Sequence, residues 1–460
     1  MIIRYLDPLE RLEFEIIQLQ EEGRDVSKLR IDYKALLKLP ETLVRQGAMS
    51  LLEKLMTHKD YISEICVDEP DELDAIRNAA AQGSPTQPSH AQLNGEQLYD
   101  RILGGWLGRS AGCLLGKPIE RYPRLVLREM LESNGNWPLD NYWTQHGMPV
   151  DILKKYPWKR RGGLASLREN IQYMPEDDDL NYTMLNLHVF ETSAENFQSE
   201  DVASAWLAML PVNELFTAER VAYFNILSGL DAPESATYIN PFREWIGAQI
   251  RADFWGYVSP GNPQQATEFA WRDARISHSR NGIYGEMFFA AFIASAFYET
   301  DIRSLVNSSL TYVPVNSRFA EAINIILALP LKDMDWEQVL DKLHQHFGHY
   351  HWVHTINNAA LTVAALLFGE GNFEETICNV VMGGWDTDSN GATAGSILGV
   401  IKGAEELPPK WIKPLNNCIG SSLKGFDNTK LSDLAKRTTA VINNLKSSNP
   451  ASALDQTDDF

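Results

Sequence analysis

Residues 382–399 read Met-Gly-Gly-Trp-Asp-Thr-Asp-Ser-Asn-Gly-Ala-Thr-Ala-Gly-Ser-Ile-Leu-Gly and follow an apolar segment at 373–381. Asp386 and Asp388 stand in a turn with hydroxyl side chains beside them, and a helix with regularly spaced glycines follows. Crowded oxygen-bearing side chains repel one another unless a cation or hydrogen bonds neutralise them, and such ligands suit Mg, Mn or Ca rather than Zn. The turn therefore predicts one part of a divalent-cation site.

An EF-hand loop is the simplest alternative for this turn. Asp386, Asp388, Asn390 and Gly391 fit positions 1, 3, 5 and 6 of that pattern. Position 12, which must supply a bidentate Glu, is Ile397, and residues 392–399 contain no carboxylate. If the turn binds a cation, further ligands must come from elsewhere in the chain.

A second acidic segment at 174–183 reads Met-Pro-Glu-Asp-Asp-Asp-Leu-Asn-Tyr-Thr. Pro175 and the acidic residues suit the N-terminus of a helix, where the helix dipole favours negative charge. Capping needs only one or two carboxylates, and four in a row exceed that requirement. We therefore interpret this segment as the second part of the cation site.

Two predicted helices carry glycine at every fourth position. A glycine inside a helix costs about 1 kcal/mol relative to alanine, so close packing must offset these residues. We expect the two helices to meet near the site, with Glu120 at the C-terminal mouth of the first. The glycines are Gly104, Gly108, Gly112 and Gly116 in the first helix and Gly391, Gly395 and Gly399 in the second.

Charge and composition exclude several classes of protein. The net charge of -20 argues against binding to nucleic acid or to an anionic membrane, because both depend on clustered Lys and Arg. The four cysteines lie far apart without a zinc or disulfide pattern. Charged residues interrupt residues 1–20, and the apolar run 287–298 is too short to span a bilayer. These features predict a cytoplasmic protein.

The pattern of elements predicts an all-α fold, since neither alternating strands with hairpin turns nor a Gly-x-Gly-x-x-Gly motif occurs. Residues 1–80 are predicted to form a small helical appendage for docking or oligomerisation, and 81–95 a flexible linker. Residues 96–446 then form the main domain, and 447–460 a disordered tail.

The aromatic segment 134–173 fits either a lid or surface packing. The histidines at 344–354 are interpreted as structural, because their spacing is irregular and no acidic residue lies among them.

Taken in order, these pieces resemble the ADP-ribosylglycohydrolase family from about residue 100 to about residue 437. Residues 108–120 are similar to the family's Gly-x-x-x-Gly-Asp-x-x-Gly-x-x-x-Glu opening, and 176–179 to Thr-Asp-Asp-Thr. Ser277-His278 is similar to the family's Thr-His, and 384–389 to Gly-Gly-Asp-Thr-Asp-Thr. The two acidic motifs at this separation are the specific signal.

The resemblance implies a compact multi-helix bundle with two Mg (or Mn) ions that hydrolyses a bond to the anomeric carbon of a ribose. It implies Glu120 and Asp178 as candidates for proton transfer. The metal ligands that it implies are Glu176, Asp177, Asp178, Asp386, Asp388 and Ser389. The residues that it places in the substrate pocket are His278, Asn281, Tyr284, Gly383, Gly384 and Trp385.

Four positions depart from the family pattern. Cys113 stands where the family has Asp, Glu176 and Asp179 replace threonines, and Trp385 replaces a glycine. The site is thus more acidic than the family norm, which should tighten cation binding. The substrate is then an ADP-ribosylated protein or small molecule, or alternatively a smaller riboside or ribosyl phosphate. A catalytically silent binding or structural protein is the remaining alternative.

Overall fold

The computed structural model describes residues 4–57, 65–81, 93–158 and 162–448. Helices dominate, and the predicted all-α fold is confirmed. The first five helices are α1 (Pro8–Glu21), α2 (Ser27–Leu36), α3 (Glu41–Thr57), α4 (Ile65–Asp68) and α5 (Leu73–Ala79). Most of the predicted linker (82–92) and of the predicted tail (449–460) lies outside the described residues.

The remaining helices form the main body of the protein. They are α6 (Gly95–Gly116), α7 (Arg124–Ser133), α8 (Val150–Lys155), α9 (Asp178–Ser193), α10 (Ser199–Met209), α11 (Thr217–Leu227), α12 (Glu234–Thr237), α13 (Ala252–Val258), α14 (Pro263–Ala274), α15 (Asn281–Ala296), α16 (Ile302–Leu310), α17 (Arg318–Ala328), α18 (Trp336–Phe347), α19 (Thr355–Phe368), α20 (Phe373–Met382), α21 (Thr387–Lys402), α22 (Pro409–Ile412) and α23 (Leu431–Ser448). Two short antiparallel strands, β1 (Cys418–Ile419) and β2 (Thr429–Lys430), pair Cys418 with Lys430. The aromatic segment 134–173 contains the short helix α8.

The glycine-bearing helices α6 and α21 cross in contact, as the sequence predicts. A Cβ built on Gly108 lies 2.1 Å from the carbonyl oxygen of Gly395, and one built on Gly104 lies equally close to that of Gly399. Side chains on these faces are therefore sterically excluded. The same rows of glycine bring the C-terminus of α6 beside the N-terminus of α21.

The centre of the main body is built around α15. Nearly every residue of this helix is buried, including the polar Asn281 and Glu286. Helices α13, α14, α19 and α21 contact it. None of the helices in the described part of the chain is long and apolar enough to cross a membrane.

The N-terminal helices pack directly on the main body. Phe14 of α1 makes edge-on ring contacts with Phe242 and Trp245, at centroid distances of 5.1 and 5.4 Å. The buried Glu22 carboxylate pairs with Arg243 at 2.9 Å and also with Arg280. Because both ion pairs are buried, the N-terminal helical unit packs as part of the main body of the protein.

Candidate functional site

The two acidic motifs meet at the N-termini of α9 and α21. Asp177 caps α9, because its Oδ1 accepts a hydrogen bond from the Asp179 N–H at 3.1 Å. Asp386 occupies the corresponding position before α21, and Asp388 lies in the first turn of that helix. The Ser389 hydroxyl donates to Asp179 Oδ2 at 3.2 Å and so joins the two motifs. Segments that are about two hundred residues apart in sequence thus form one cluster.

The turn before α21 is held by neighbouring helices. Asn358 Oδ1 on α19 accepts hydrogen bonds from the Asp386 N–H at 3.2 Å and from Asn390 Nδ2 at 2.7 Å. The Thr387 hydroxyl donates to the Gly116 carbonyl at the end of α6, at 2.8 Å. Trp385 has a φ of 60°, a conformation that non-glycine residues adopt only when their surroundings fix them. The carboxylates are therefore fixed in position by the fold.

Glu120 completes an acidic group with Asp386 and Asp388. One carboxylate oxygen from each of the three lies within 4.8 Å of the other two. Asp386 and Asp388 are buried, and three carboxylates at this separation need a compensating positive charge. Hard oxygen donors alone fit Mg²⁺ or Mn²⁺ and do not fit a site designed for Zn²⁺. Glu120, Asp386, Asp388 and the neighbouring Asp178 and Ser389 are the residues that would hold such ions.

Two buried cations neutralise the base of the cluster. Arg109 pairs with Asp253 at 2.8 Å and lies 3.5 Å from Asp179. Lys117 pairs with Asp177. Burial, followed by the repulsion of Asp177 and Asp386, still raises the pKa of Asp179 well above its usual range, although Arg109 opposes the shift. At the solvent-facing end of the cluster, Arg121 Nε lies 3.6 Å from Glu120 Oε1.

The cluster opens into a cleft of about 610 Å³. This volume lies in the range of about 300–1,000 Å³ that is typical of small-molecule sites. The carboxylates that line the cleft are Glu120, Asp178, Asp179, Glu219, Asp386 and Asp388. The aromatic residues that line it are Tyr5, Phe14, Tyr122, Phe216, Trp245, His351 and Trp352.

Two of the aromatic residues in the cleft lining stack on one another. His351 stacks on Trp245, with centroids 4.3 Å apart and ring planes 7° apart. Burial, with the nearby charges of His354 and Arg121, lowers the pKa of His351 to about 4. The imidazole is therefore neutral near pH 7 and acts as part of an apolar wall on which a planar ring can stack.

Glu219 is a cleft carboxylate outside the two motifs. Its Oε1 accepts a hydrogen bond from Arg251 Nη1 at 3.1 Å, and its side chain packs against the backbone of Gly247. Burial raises the pKa of Glu219 to about 7 despite the nearby Arg251. It can therefore carry or release a proton near neutral pH.

The structure brings five of the predicted catalytic and metal residues to the cleft wall, namely Glu120, Asp178, Asp386, Asp388 and Ser389. The other two have different surroundings. Glu176 Oε1 accepts hydrogen bonds from Asn181 at 2.9 Å and Ser422 at 3.2 Å. Asp177 pairs with Lys117 and approaches Cys113 and Asp179, with one ligand atom of each within 4.8 Å of the others. Neither carboxylate is among the residues that line the cleft.

The residues predicted to bind substrate make contacts with other parts of the fold. His278 is buried with its Nε2 4.0 Å from Glu219, and Trp385 packs against His344 with ring centroids 4.6 Å apart. Asn281 donates to Glu244 at 3.0 Å, and Tyr284 donates to the Pro70 carbonyl at 2.5 Å.

The glycine pair that precedes Trp385 and Asp386 also faces other parts of the fold. A Cβ on Gly383 would meet Leu361, and a Cβ on Gly384 would meet the Arg124 backbone. The pair packs the turn against α19 and α7. Within the described part of the chain, none of the residues predicted to bind substrate belongs to the cleft lining.

Several cleft residues were not anticipated from the sequence. Asp179 lies in the acidic run, and its role follows once Asp177 is recognised as the cap of α9. Glu219, Arg4, Tyr5 and His351 come from distant segments with no local motif. For these residues only the tertiary structure supplies the signal.

The fold and the cleft define an all-α protein with a carboxylate-lined cleft suited to divalent cations. The sequence model of the family described as ADP-ribosylglycohydrolase matches residues 94–447, and the chain belongs to that family. The resemblance noted in the sequence is thereby confirmed, and membership implies a glycosidase that acts on ADP-ribose-type substrates. The comparison with curated proteins found no significant match.

A solved structure supports the same assignment of the fold. It is described as an ADP-ribosylglycohydrolase-related protein complex and is similar to this chain with a TM-score of 0.51 and 17% sequence identity. The match covers 76% of this chain and 99% of that chain. At this identity the likeness supports the fold alone.

Proposed function

We propose that this protein is a Mg- or Mn-dependent hydrolase that cleaves the bond between the anomeric carbon of a ribose and its substituent, releasing ADP-ribose from a modified protein or small molecule. One observation carries the proposal. In a chain of this family, Glu120, Asp178, Asp386 and Asp388 converge on one wall of a single cleft. Their donor atoms suit divalent cations, and vicinal sugar hydroxyls are natural partners for such ions.

The chain's own residues would perform the proton transfers. When bound, the cations would supply positive charge that orients the ribose hydroxyls and polarises water. Hydrolysis forms a bond from a water oxygen to the anomeric carbon and breaks the bond to the substituent. Glu120 or Asp178 takes one proton from the water, and the leaving atom gains one proton. The buried carboxylates also stabilise the positive charge that develops on the sugar ring.

The experiment is a release assay with purified full-length protein. Peptides carrying ADP-ribose on arginine or on serine are incubated with Mg²⁺ or Mn²⁺, and free ADP-ribose is measured by chromatography. We expect release that stops when EDTA removes the cation and resumes when the cation is restored. Asp433→Asn, an exposed carboxylate in the first turn of α23, serves as a control and should leave release unchanged.

Other outcomes separate the alternatives. Cation binding with turnover of a free riboside, and without release from either peptide, supports a hydrolase of smaller ribosides. Cation binding without turnover of any of these substrates supports a silent binding protein. If the protein binds neither cation, the proposed hydrolase is ruled out.

A further inference from the structure

The N-terminal unit forms part of the cleft wall. Arg4, Tyr5 and Phe14 line the same cleft as the carboxylates. The family match begins only at residue 94, so this wall lies outside the part of the chain that defines the family. The unit therefore adds a feature to the cleft that membership of the family does not supply.

This wall is built into the fold at several points. The Tyr5 N–H donates to Glu10 Oε2 at 2.7 Å, and the Tyr5 ring packs edge-on against Phe242 with centroids 5.5 Å apart. Arg220 Nη1 donates to the Arg4 carbonyl at 3.4 Å. These contacts fix the backbone at residues 4 and 5, so the side chains project from a defined position.

Two arginines line the cleft among the described residues, Arg4 from the N-terminal unit and Arg121 directly after Glu120. The Arg4 guanidinium lies 4.7 Å from the centroid of the Tyr5 ring, and that of Arg121 lies 5.3 Å from the Trp352 ring. The charges of Arg4, Arg121 and Glu120 all act on the buried Tyr5 hydroxyl, in addition to the larger effect of burial. Arg121 Nε also lies 3.6 Å from Glu120 Oε1, so this guanidinium stands beside the carboxylate cluster, and Arg4 lines the same cleft.

Two residues in this part of the cleft have an unusual backbone conformation. Tyr5 has a φ of 68° and Arg121 a φ of 73°. Non-glycine residues rarely adopt such values, and where they do the surrounding structure holds them against a conformational cost. Two such residues facing one cleft indicate that the fold is arranged to present these particular side chains.

The charges around Arg4 and Arg121 indicate which kind of ligand these two side chains bind. The protein carries a net charge of -20, and the cleft is lined by acidic side chains. An anionic ligand would be repelled unless positive groups stand where its charge lies. Guanidinium groups recognise phosphate oxygens through paired, charge-assisted hydrogen bonds.

We infer that Arg4 and Arg121 bind the phosphate groups of the substrate, so that the N-terminal unit selects a phosphorylated ribosyl group over an unphosphorylated riboside. This inference rests on the proposed function and specifies its substrate class. The carboxylates hold the ribose end of the substrate, and the arginines hold its anionic end.

The test measures binding rather than turnover, so that it is separable from the proposed activity. Full-length wild type, Arg4→Gln and Arg121→Gln are titrated calorimetrically with ADP-ribose and with adenosine, which lacks phosphate, in buffer containing Mg²⁺. Arg30→Gln removes an arginine from the same N-terminal unit at an exposed position on α2 that is not part of the cleft lining. Circular dichroism checks that each variant is folded.

We expect each cleft variant to bind ADP-ribose about tenfold more weakly than wild type, because each loses a charge-assisted contact. Adenosine binding should stay unchanged, and Arg30→Gln should match wild type with both ligands. Unchanged ADP-ribose affinity in Arg4→Gln overturns the inference. So does an equal loss for adenosine, or a wild-type protein that binds no phosphorylated ligand. If ADP-ribose binding depends on the two arginines but no substrate is hydrolysed, the inference stands and the proposed hydrolase function is ruled out.

Discussion

Gly112 of α6 and Gly391 of α21 cross so closely that a Cβ built on Gly112 would lie 1.8 Å from the Gly391 carbonyl oxygen. No side chain fits at that distance. Because α6 leads into Glu120 and α21 starts directly after Asp386, the crossing sets the separation of these two carboxylates. The glycine rows therefore act on the site through the backbone.

Replacing Gly112 with alanine should destabilise the protein, because the added methyl group must push two backbones apart. Overpacking of this kind costs about 1–3 kcal/mol, and a clash with backbone belongs at the upper end of that range. Urea unfolding followed by circular dichroism measures the loss. Gly95→Ala in the same helix is the matched control, since a Cβ there meets nothing within 4 Å. Equal stability of the two variants would show that α6 and α21 can separate without cost.

Asp386→Asn should remove the stabilisation that Mg²⁺ or Mn²⁺ confers while leaving the fold intact. A ligand at one hundred times its Kd stabilises the folded state by about 2.7 kcal/mol, which raises Tm measurably. Without cation, the variant should be at least as stable as wild type, because one repelling carboxylate is gone. Thermal unfolding with and without Mn²⁺ measures both effects. If the cation raises the Tm of this variant as much as it raises that of wild type, Asp386 is not a ligand of the cation.

Glu219 should make the stability of the protein depend on pH near neutrality. Its folded pKa of about 7 lies above the ordinary 4.5 because of burial, so its contribution is fully present below 4.5 and is lost as the pH rises through 7. By linkage, the stability of wild type relative to Glu219→Gln should fall by about 3 kcal/mol between about pH 4.5 and pH 8. Urea unfolding across this range measures the difference. A difference that does not vary with pH would mean that Glu219 titrates normally.

The sequence predicted those features that rest on local chemistry. Rows of glycine at helical spacing predicted the α6–α21 crossing, and the acidic run before α9 predicted a counterpart for Asp386. Within that run the sequence predicted Glu176, Asp177 and Asp178 as ligands. Asp178 lines the cleft together with Asp179, which was not predicted, whereas Asp177 caps α9. The first residue of a helix decides which side chains face outward, and sequence patterns locate it only to within one or two residues.

The contribution of the N-terminal unit to the cleft was not predictable from sequence patterns. Its helical character was predicted, and α1, α2 and α3 are indeed helices. Its place in the fold depends on contacts such as Phe14 with Trp245, which join segments more than two hundred residues apart. A charged residue such as Arg4 carries no local signal that distinguishes a cleft from ordinary solvent. Tertiary packing alone gives it a role.

Replacing Glu22 with glutamine should loosen the N-terminal unit from the main body. Burial raises the pKa of Glu22, but Arg280 and Arg243 outweigh this effect and hold the pKa at about 2, below the ordinary 4.5. The carboxylate therefore stabilises the fold above pH 4.5, and this contribution is lost as the pH falls through 2. Removing one partner of a buried ion pair costs about 3–5 kcal/mol, since the remaining charges stay buried. Urea unfolding at neutral pH measures the loss.

Hydrogen exchange shows which part of the protein loses stability in Glu22→Gln. In Glu22→Gln we expect faster exchange in α1, whose buried face packs on the main body, and unchanged exchange in α15 away from its first turn. Glu53→Gln, an exposed glutamate of α3, is the control and should match wild type at both places. Because Arg4 and Tyr5 directly precede α1, the same variant should also weaken ADP-ribose binding if the unit forms the cleft wall. Slow exchange in α1 together with wild-type stability would show that the aromatic contacts of Phe14 hold the unit without the ion pairs.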